Sequence, residues 1–253
     1  MSTWSQLVHN HTYQSPLQGG LCIGIPTINR KDLLEELLIS IDQFQDRIPL
    51  SKIIIIDNGA QGVGSIIPSG ITHLTEVYNE VENLGVSGSW NKMMRLAFTS
   101  YNARGILMLN DDIVIGENFT SVYMSIINSY PDAFLINGPY YWSATTFMRS
   151  CYDTIGTFDE TFFPAYFEDN DYAHRIDLYK KLSGDPAIDY YVIDNALMPD
   201  VQRNSQTVQR DGSLNSNFGK NGNYFREKWG NSPHSTNLFD SPFNQGKEEP
   251  WKL

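Results

Sequence analysis

The apolar residues of this 253-residue chain alternate between short unbroken runs and stretches that repeat every third or fourth position. LCIGIP (21–26) is such a run, closed by proline. Asn29 to Asp32 then has the form of a capping box, and Leu33, Leu34, Leu37, Leu38, Ile41 and Phe44 follow at helical spacing. KIIIIDNG (52–59) is β-branched on both faces, the pattern of a central parallel strand covered on both sides, and its apolar run stops at Asp57. A third strand is predicted within THLTEVYN (72–79), and Val86, Trp90, Met93, Met94, Ala97 and Phe98 predict a helix over 86–100. GILML (105–109) is the fourth strand. Beyond it the pattern predicts a helix near 118–130, strands at AFLING (133–138) and TTFMR (145–149), and a helix from Glu168. Past residue 198 the chain is rich in Asn, Ser, Gly and aromatics, with one short helical stretch, NYFREKWG (223–230).

Strands alternating with helices predict an α/β fold, an open, mostly parallel, Rossmann-like sheet with helices on both faces. Ligands of such sheets bind beyond the carboxyl ends of the strands. Polar residues collect at those ends: Thr27, Asn29 and Arg30; Asp57 and Asn58; Asn110, Asp111 and Asp112. The organisation expected is a polar arm (1–20), one domain (21–230) and a tail (231–253).

Composition narrows the partners. Lys and Arg total 18 against 29 Asp and Glu, a formal charge of -11, which argues against nucleic acid as the main partner. Cys22 and Cys151 form no CxxC or Cys/His pattern, so neither a disulfide framework nor a zinc site is expected. No apolar run approaches the ~20 residues of a membrane span, and the first residues lack the basic start and apolar core of a signal peptide. The expectation is a soluble, cytoplasmic protein without a membrane span.

Two phosphate cradles are missing. A dinucleotide site needs GxGxxG after the first strand, where this chain reads PTINR, and no GxxxxGK[ST] occurs. Without a backbone cradle, a diphosphate can be held through a divalent cation, and carboxylates at a strand end suit Mg2+ or Mn2+. The adjacent acids Asp111 and Asp112 repel one another, and a cation there would neutralise them. A solvated turn is the alternative reading of the same residues. A second acidic group, FPAYFEDNDYAHR, opens a helix among aromatic residues. Its acids complement the helix dipole without need of a function. If the group is catalytic, Asp169 is the expected general base, Glu168 helps hold an acceptor, and Asp171 is structural through Arg175, four residues on.

These segments, taken in order, resemble family 2 glycosyltransferases, which have the GT-A fold. The resemblance covers residues 21 to 230 and rests on IPTINR, IIIIDNG, ENLGVSGSWN (82–91), LNDD and GTFDETFF…FEDNDYAHR, with NYFREKWG similar to a segment near the end of such proteins. It implies that Thr27, Arg30 and Asp57 contact the donor nucleoside, Asp57 by accepting from a base N–H. It also implies that Asn83, Gly85 and Asn91 lie beside the donor diphosphate at a helix N-terminus, with Asn110 and Asp111 on the donor. LNDD stands where the family has its DxD motif: Asn110 replaces the first acid, and Asp112 is the best metal ligand. Many relatives place a histidine ligand after the base helix; here Asp200 stands nearest to that position.

The reaction implied is inverting transfer of a hexose or deoxyhexose from a UDP-, GDP- or dTDP-sugar to a glycan or other hydroxyl acceptor, assisted by Mn2+ or Mg2+. Trp142 and Tyr166 are the aromatic candidates for the acceptor side, although an aromatic core or loop anchor serves Trp142 equally well. A non-catalytic carbohydrate- or nucleotide-binding module of the same fold is the alternative.

Overall fold

The structure is a computed structural model, and it describes residues 20–130, 133–138, 141–184, 190–192, 202–203 and 213–246. Among these residues the central sheet has seven strands, β1 (Leu21–Thr27), β2 (Leu50–Asp57), β3 (Thr75–Asn79), β4 (Gly105–Leu109), β6 (Leu135–Gly138), β7 (Tyr141–Met148) and β8 (Tyr190–Val192), in the order β3-β2-β1-β4-β7-β6-β8. A separate ribbon pairs β5 (Ile113–Val114) with β9 (Gln202–Arg203). The first four strands of the main sheet run parallel. β7 runs antiparallel to both neighbours, β4 and β6.

The apolar runs become strands buried on both faces because their side chains feed two cores. Ile53, Ile55, Leu107 and Leu109 point into one core, with Leu34, Leu37, Leu38 and Ile41 of α1 (Lys31–Phe44) and Phe119, Tyr123, Ile126 and Ile127 of α3 (Glu117–Ser129). Ile54, Ile56, Ile106 and Met108 point into the other. There they meet Trp90, Met93 and Met94 of α2 (Gly85–Arg95), Cys151 and Ile155 of α4 (Arg149–Ile155), and Tyr172 and Ile176 of α5 (Glu168–Ser183). Strict alternation along a strand thus divides one isoleucine run between two helical layers. A third cluster, Phe162, Leu178, Phe225 and Trp229, joins α5 to α6 (Ser213–Trp229). No helix among the described residues is long and apolar enough to cross a membrane.

The elements differ from the sequence expectation in four places. The capping box does not form: Asn29 takes a left-handed backbone (φ 54), and Arg30, at the N-cap, makes no side-chain cap bond. The helix over 86–100 is α-helical only to Arg95 and closes in a π turn, Leu96–Ser100. The strand predicted at 145–149 begins at Tyr141 and ends where α4 starts, at Arg149. NYFREKW (223–229) is the end of the 17-residue α6, and Gly230 follows it. The segment after α6 lies on α5 and α6. Phe239 N–H donates to Trp229 O (2.8 Å), His174 Nε2 meets Phe239 O (3.0 Å), and Lys181 pairs with Asp240 (2.9 Å).

Candidate functional site

The ends of β1, β2 and β3 are level: Thr27 stands opposite Asp57, and Asp57 opposite Asn79. Beside them ends β4, and because β7 is antiparallel its first residues reach the same edge, where Asn110 N–H donates to Ser143 O (2.9 Å). α2 begins at this edge too. Its Val86 N–H donates to Pro164 O (2.8 Å), which draws in the loop before α5. Strand direction therefore brings the two acidic groups, 110–112 and 168–169, to one side of the sheet.

Asp111 is held by the β1–α1 turn. Thr27 Oγ1 donates to its Oδ2 (2.8 Å), and Arg30 Nη1 lies 3.2 Å from Oδ1. Burial nevertheless pushes its pKa up to about 6, against the opposing pull of Arg30 and Thr27 and with a further push from Asp112. Arg30 thus meets the charge of Asp111 from the protein itself. Asp112 is 3% exposed, and its buried Oδ1 has no hydrogen-bond partner. A buried carboxylate oxygen left unpaired is costly unless something binds it.

Among the described residues, no group of three or more His, Cys, Asp or Glu side chains is placed to hold a metal ion. One unpaired carboxylate oxygen still fits Mg2+ or Mn2+ of the kind held by one or two carboxylates together with phosphate oxygens and water. Asp200 lies outside the described residues. The β5–β9 ribbon, with Ile113 opposite Arg203, brings residues 202–203 beside those that follow Asp112.

The other donor-side candidates are tied to the protein. Asp57 accepts from the backbone of Gly59 (3.2 Å) and Gln61 (2.7 Å) and from Gln61 Nε2 (3.1 Å), which fixes the turn after β2. Asn83 Oδ1 accepts from Gly85 N–H (2.8 Å), and Asn58 Oδ1 from Leu84 N–H (2.9 Å). With Val86 bound to Pro164, the first N–H groups of α2 are satisfied by protein atoms, so this helix end favours an anion through its dipole rather than through those donors. Gly85 has φ +68, and a Cβ there would lie 2.7 Å from Pro164 O. Asn91 is a buried clasp: it donates to Phe158 O (3.0 Å) and Glu160 Oε1 (2.9 Å) and accepts from Phe158 N–H (2.7 Å). Asn110 reaches Ser143 Oγ at 3.4 Å.

On the other side, Glu168 is buried with Oε2 unpartnered. Burial and the neighbouring charge of Asp169 push its pKa up to about 8. Burial also raises Asp169, whose Oδ1 accepts from Asn170 N–H (2.8 Å). The pair is thus two carboxyls in a site that disfavours charge, one of them readily kept neutral near pH 7. Asp171 pairs with Arg175 (3.0 Å) as its i,i+4 spacing predicts. Trp142 is half-buried and stacks on Trp90 with centroids 6.3 Å apart, edge-on to Tyr172 at 6.4 Å, so its ring links α2 to α5 as part of the aromatic core. Tyr166 is half-buried, in a left-handed conformation (φ 80), and meets Phe218 of α6 edge-on at 5.3 Å.

Sequence reading passed over Ser143, Asn221 and Lys228, and it took Asn58 only as a polar residue at a strand end. Lys228 stood inside the NYFREKWG segment, which was the available signal.

No family model and no curated protein sequence matches the chain. Among solved structures it is similar to the mannosyltransferase PcManGT from Pyrobaculum calidifontis in complex with GDP-Man and Mn2+. The TM-score is 0.52 at 12% identity, over 76% of this chain and 60% of that one. TarS from S. aureus aligns with a TM-score of 0.46 at 13% identity, over 59% of this chain and 32% of that one. The chain thus spans less than two thirds of the mannosyltransferase, and at this identity the likeness concerns architecture. A mostly parallel sheet with helices on both faces, shared with that enzyme, gives the chain a GT-A-like α/β fold.

Proposed function

We propose that the chain is an inverting glycosyltransferase of family 2 type, which moves a hexose or deoxyhexose from a nucleotide diphosphate sugar to a hydroxyl acceptor. The observation that carries this reading is a pair of buried carboxylate oxygens without a hydrogen-bond partner: Asp112 Oδ1 just beyond β4, and Glu168 Oε2, beside Asp169, at the start of α5. The mannosyltransferase of similar fold is seen with GDP-Man and Mn2+, which supports a nucleotide-sugar donor and a divalent cation.

In this reading Thr27, Arg30 and the turn held by Asp57 shape the nucleoside end of the donor site. Arg30 is poised between Asp111 and an incoming phosphate, and the α2 dipole favours the diphosphate. Asp112, with Asp200 as a candidate second ligand, would hold Mn2+ or Mg2+, which would supply Lewis-acid stabilisation of the departing diphosphate. Asp169 accepts the proton of the acceptor hydroxyl as its oxygen attacks the anomeric carbon from the face opposite the leaving group. Its raised pKa brings its basicity closer to neutral pH, where a general base works best. Glu168, neutral more of the time, donates to or accepts from the acceptor and keeps Asp169 the charged member of the pair. Tyr166 and the edge of Trp142 offer apolar faces for a sugar ring.

Thermal shift with UDP, GDP and dTDP, in Mn2+ and again in EDTA, tests the donor half. One nucleotide is expected to raise the melting temperature in Mn2+ and to lose that effect in EDTA, in Asp112→Asn and, more weakly, in Asp200→Ala. No shift with any of the three, or a full shift in Asp112→Asn, contradicts it.

A further inference from the structure

α6 makes polar contacts with the chain on both sides of the candidate catalytic carboxyls, the 163–166 loop before them and Asp171 after them. Lys228 is fully buried, and its Nζ bridges two acids of different elements. It lies 3.0 Å from Asp159 Oδ2, in the loop after α4, and 2.6 Å from Asp171 Oδ1, two residues beyond Asp169 on α5. Each acid is otherwise bonded: Asp159 to Tyr224 OH (2.7 Å) and Thr161 N–H (3.0 Å), Asp171 to Arg175 and to Trp229 Nε1 (2.8 Å). About two helical turns back along the same face, Asn221 is buried and its Nδ2 donates to Ala165 O (2.8 Å), with Tyr166 O at 3.3 Å and Phe163 O at 3.4 Å. Next to it, Gly222 leaves room for the Phe167 ring, whose Cζ lies 2.9 Å from where a Cβ would stand.

The backbone under these contacts is one that side chains rarely adopt. Tyr166 and Phe167, directly before Glu168, have φ of +80 and +73. Two successive left-handed residues persist only where the surroundings over-determine them, and the surroundings here are Asn221, Gly222 and Phe218. We infer that Asn221 and Lys228 are positioning residues: Asn221 fixes the 163–167 loop and Lys228 locks α5 to the 159 loop, so that together they set where Glu168 and Asp169 stand. The inference rests on the transfer reading given above.

The test uses the full chain with Asn221→Ala, Lys228→Met and the charge-balanced pair Lys228→Met/Asp159→Asn, which keeps the lysine site testable if the single variant fails to fold. Readouts are diphosphate release from the UDP-, GDP- and dTDP-sugars in Mn2+ across pH, affinity for the free nucleoside diphosphates, and titration of the Glu168 and Asp169 carboxyls by carbon NMR. Among the described residues, Glu168 is pushed by the charge of Asp169, and Asp169 is drawn down by His234. Displacement of catalytic groups by about 1 Å can cost ~100-fold, so Asn221→Ala is expected to lose rate on that order with nucleotide affinity kept. The acid limb of its profile should move to lower pH as water reaches the pair. A role in stability alone would scale the rate equally at every pH. Wild-type turnover and an unmoved limb in Asn221→Ala overturn the inference. If the wild-type protein releases no diphosphate from any donor, the transfer reading fails. The NMR titration then decides the positioning claim by itself, with unmoved carboxyl midpoints in both variants overturning it.

Discussion

Replacing Asp171 by alanine removes one buried carboxylate from three buried donors at once: Arg175 Nε at 3.0 Å, Lys228 Nζ at 2.6 Å and Trp229 Nε1 at 2.8 Å. Deleting one partner of a buried ion pair costs roughly 3–5 kcal/mol, because the remaining charge is left uncompensated. Two features soften the loss here. Arg175 keeps the carbonyls of Ile155 (3.1 Å) and Thr157 (2.8 Å), and Lys228 keeps Asp159. The lower end of the range, about 3 kcal/mol, is therefore the expectation. For a chain of this size ~1 kcal/mol moves the melting temperature by about 2–4 °C, so Asp171→Ala should melt about 6–12 °C lower. Asp171→Asn keeps an acceptor oxygen and should fall between. Urea titration with a parallel thermal melt measures both. A cooperative Asp171→Ala variant within ~1 kcal/mol of wild type would refute the claim that this network holds α5 to α6.

Two further outcomes follow from the same geometry. Burial raises the Glu168 pKa from 4.5 to about 8, so its contribution to stability is present below the unfolded value and is lost as pH rises through about 8; Glu168→Gln should gain on wild type in urea midpoint across that window, and parallel curves would count against the buried pair. Gly85→Ala puts a side chain at φ +68 and 2.7 Å from Pro164 O; a loss of at least ~1–2 kcal/mol is expected, and an unchanged thermal midpoint would show that the α2 start does not press on the 163–167 loop.

The elements that the sequence disclosed are those in which local pattern and tertiary role agree. Ile53–Ile56 had to be a central strand because both faces are apolar, and the helix over 33–44 carries one clean stripe. Strand ends were readable for the same reason: an apolar run that stops at Asp57 or Asn110 stops where the two layers stop. Long-range pairing was not. Nothing in 141–148 tells that the strand inserts antiparallel between β4 and β6, and the two-residue partners β5 and β9 are too short to show alternation. α6 was under-read because Asn215, Asn217, Gly219, Asn221, Gly222 and Asn223 are weak helix formers. Its helix is sustained by what Phe225, Lys228 and Trp229 bury.

Within the site, the two acidic groups were visible as residues, but their environments were not. That Arg30 satisfies Asp111 while Asp112 keeps a bare oxygen depends on a turn 81 residues away in the chain. Likewise, Asn91 and Asp57 have the right identity for donor contacts, yet the folded chain shows them first as clasps of its own loops.

The central claim is that Asp169 deprotonates the acceptor, and the most direct measurement is the turnover of Asp169→Asn with whichever nucleotide-sugar the wild-type protein consumes in Mn2+. The account predicts a fall of ~100- to 10,000-fold in diphosphate release, with affinity for the nucleoside diphosphate retained. Turnover in Asp169→Asn close to that of the wild type would contradict it.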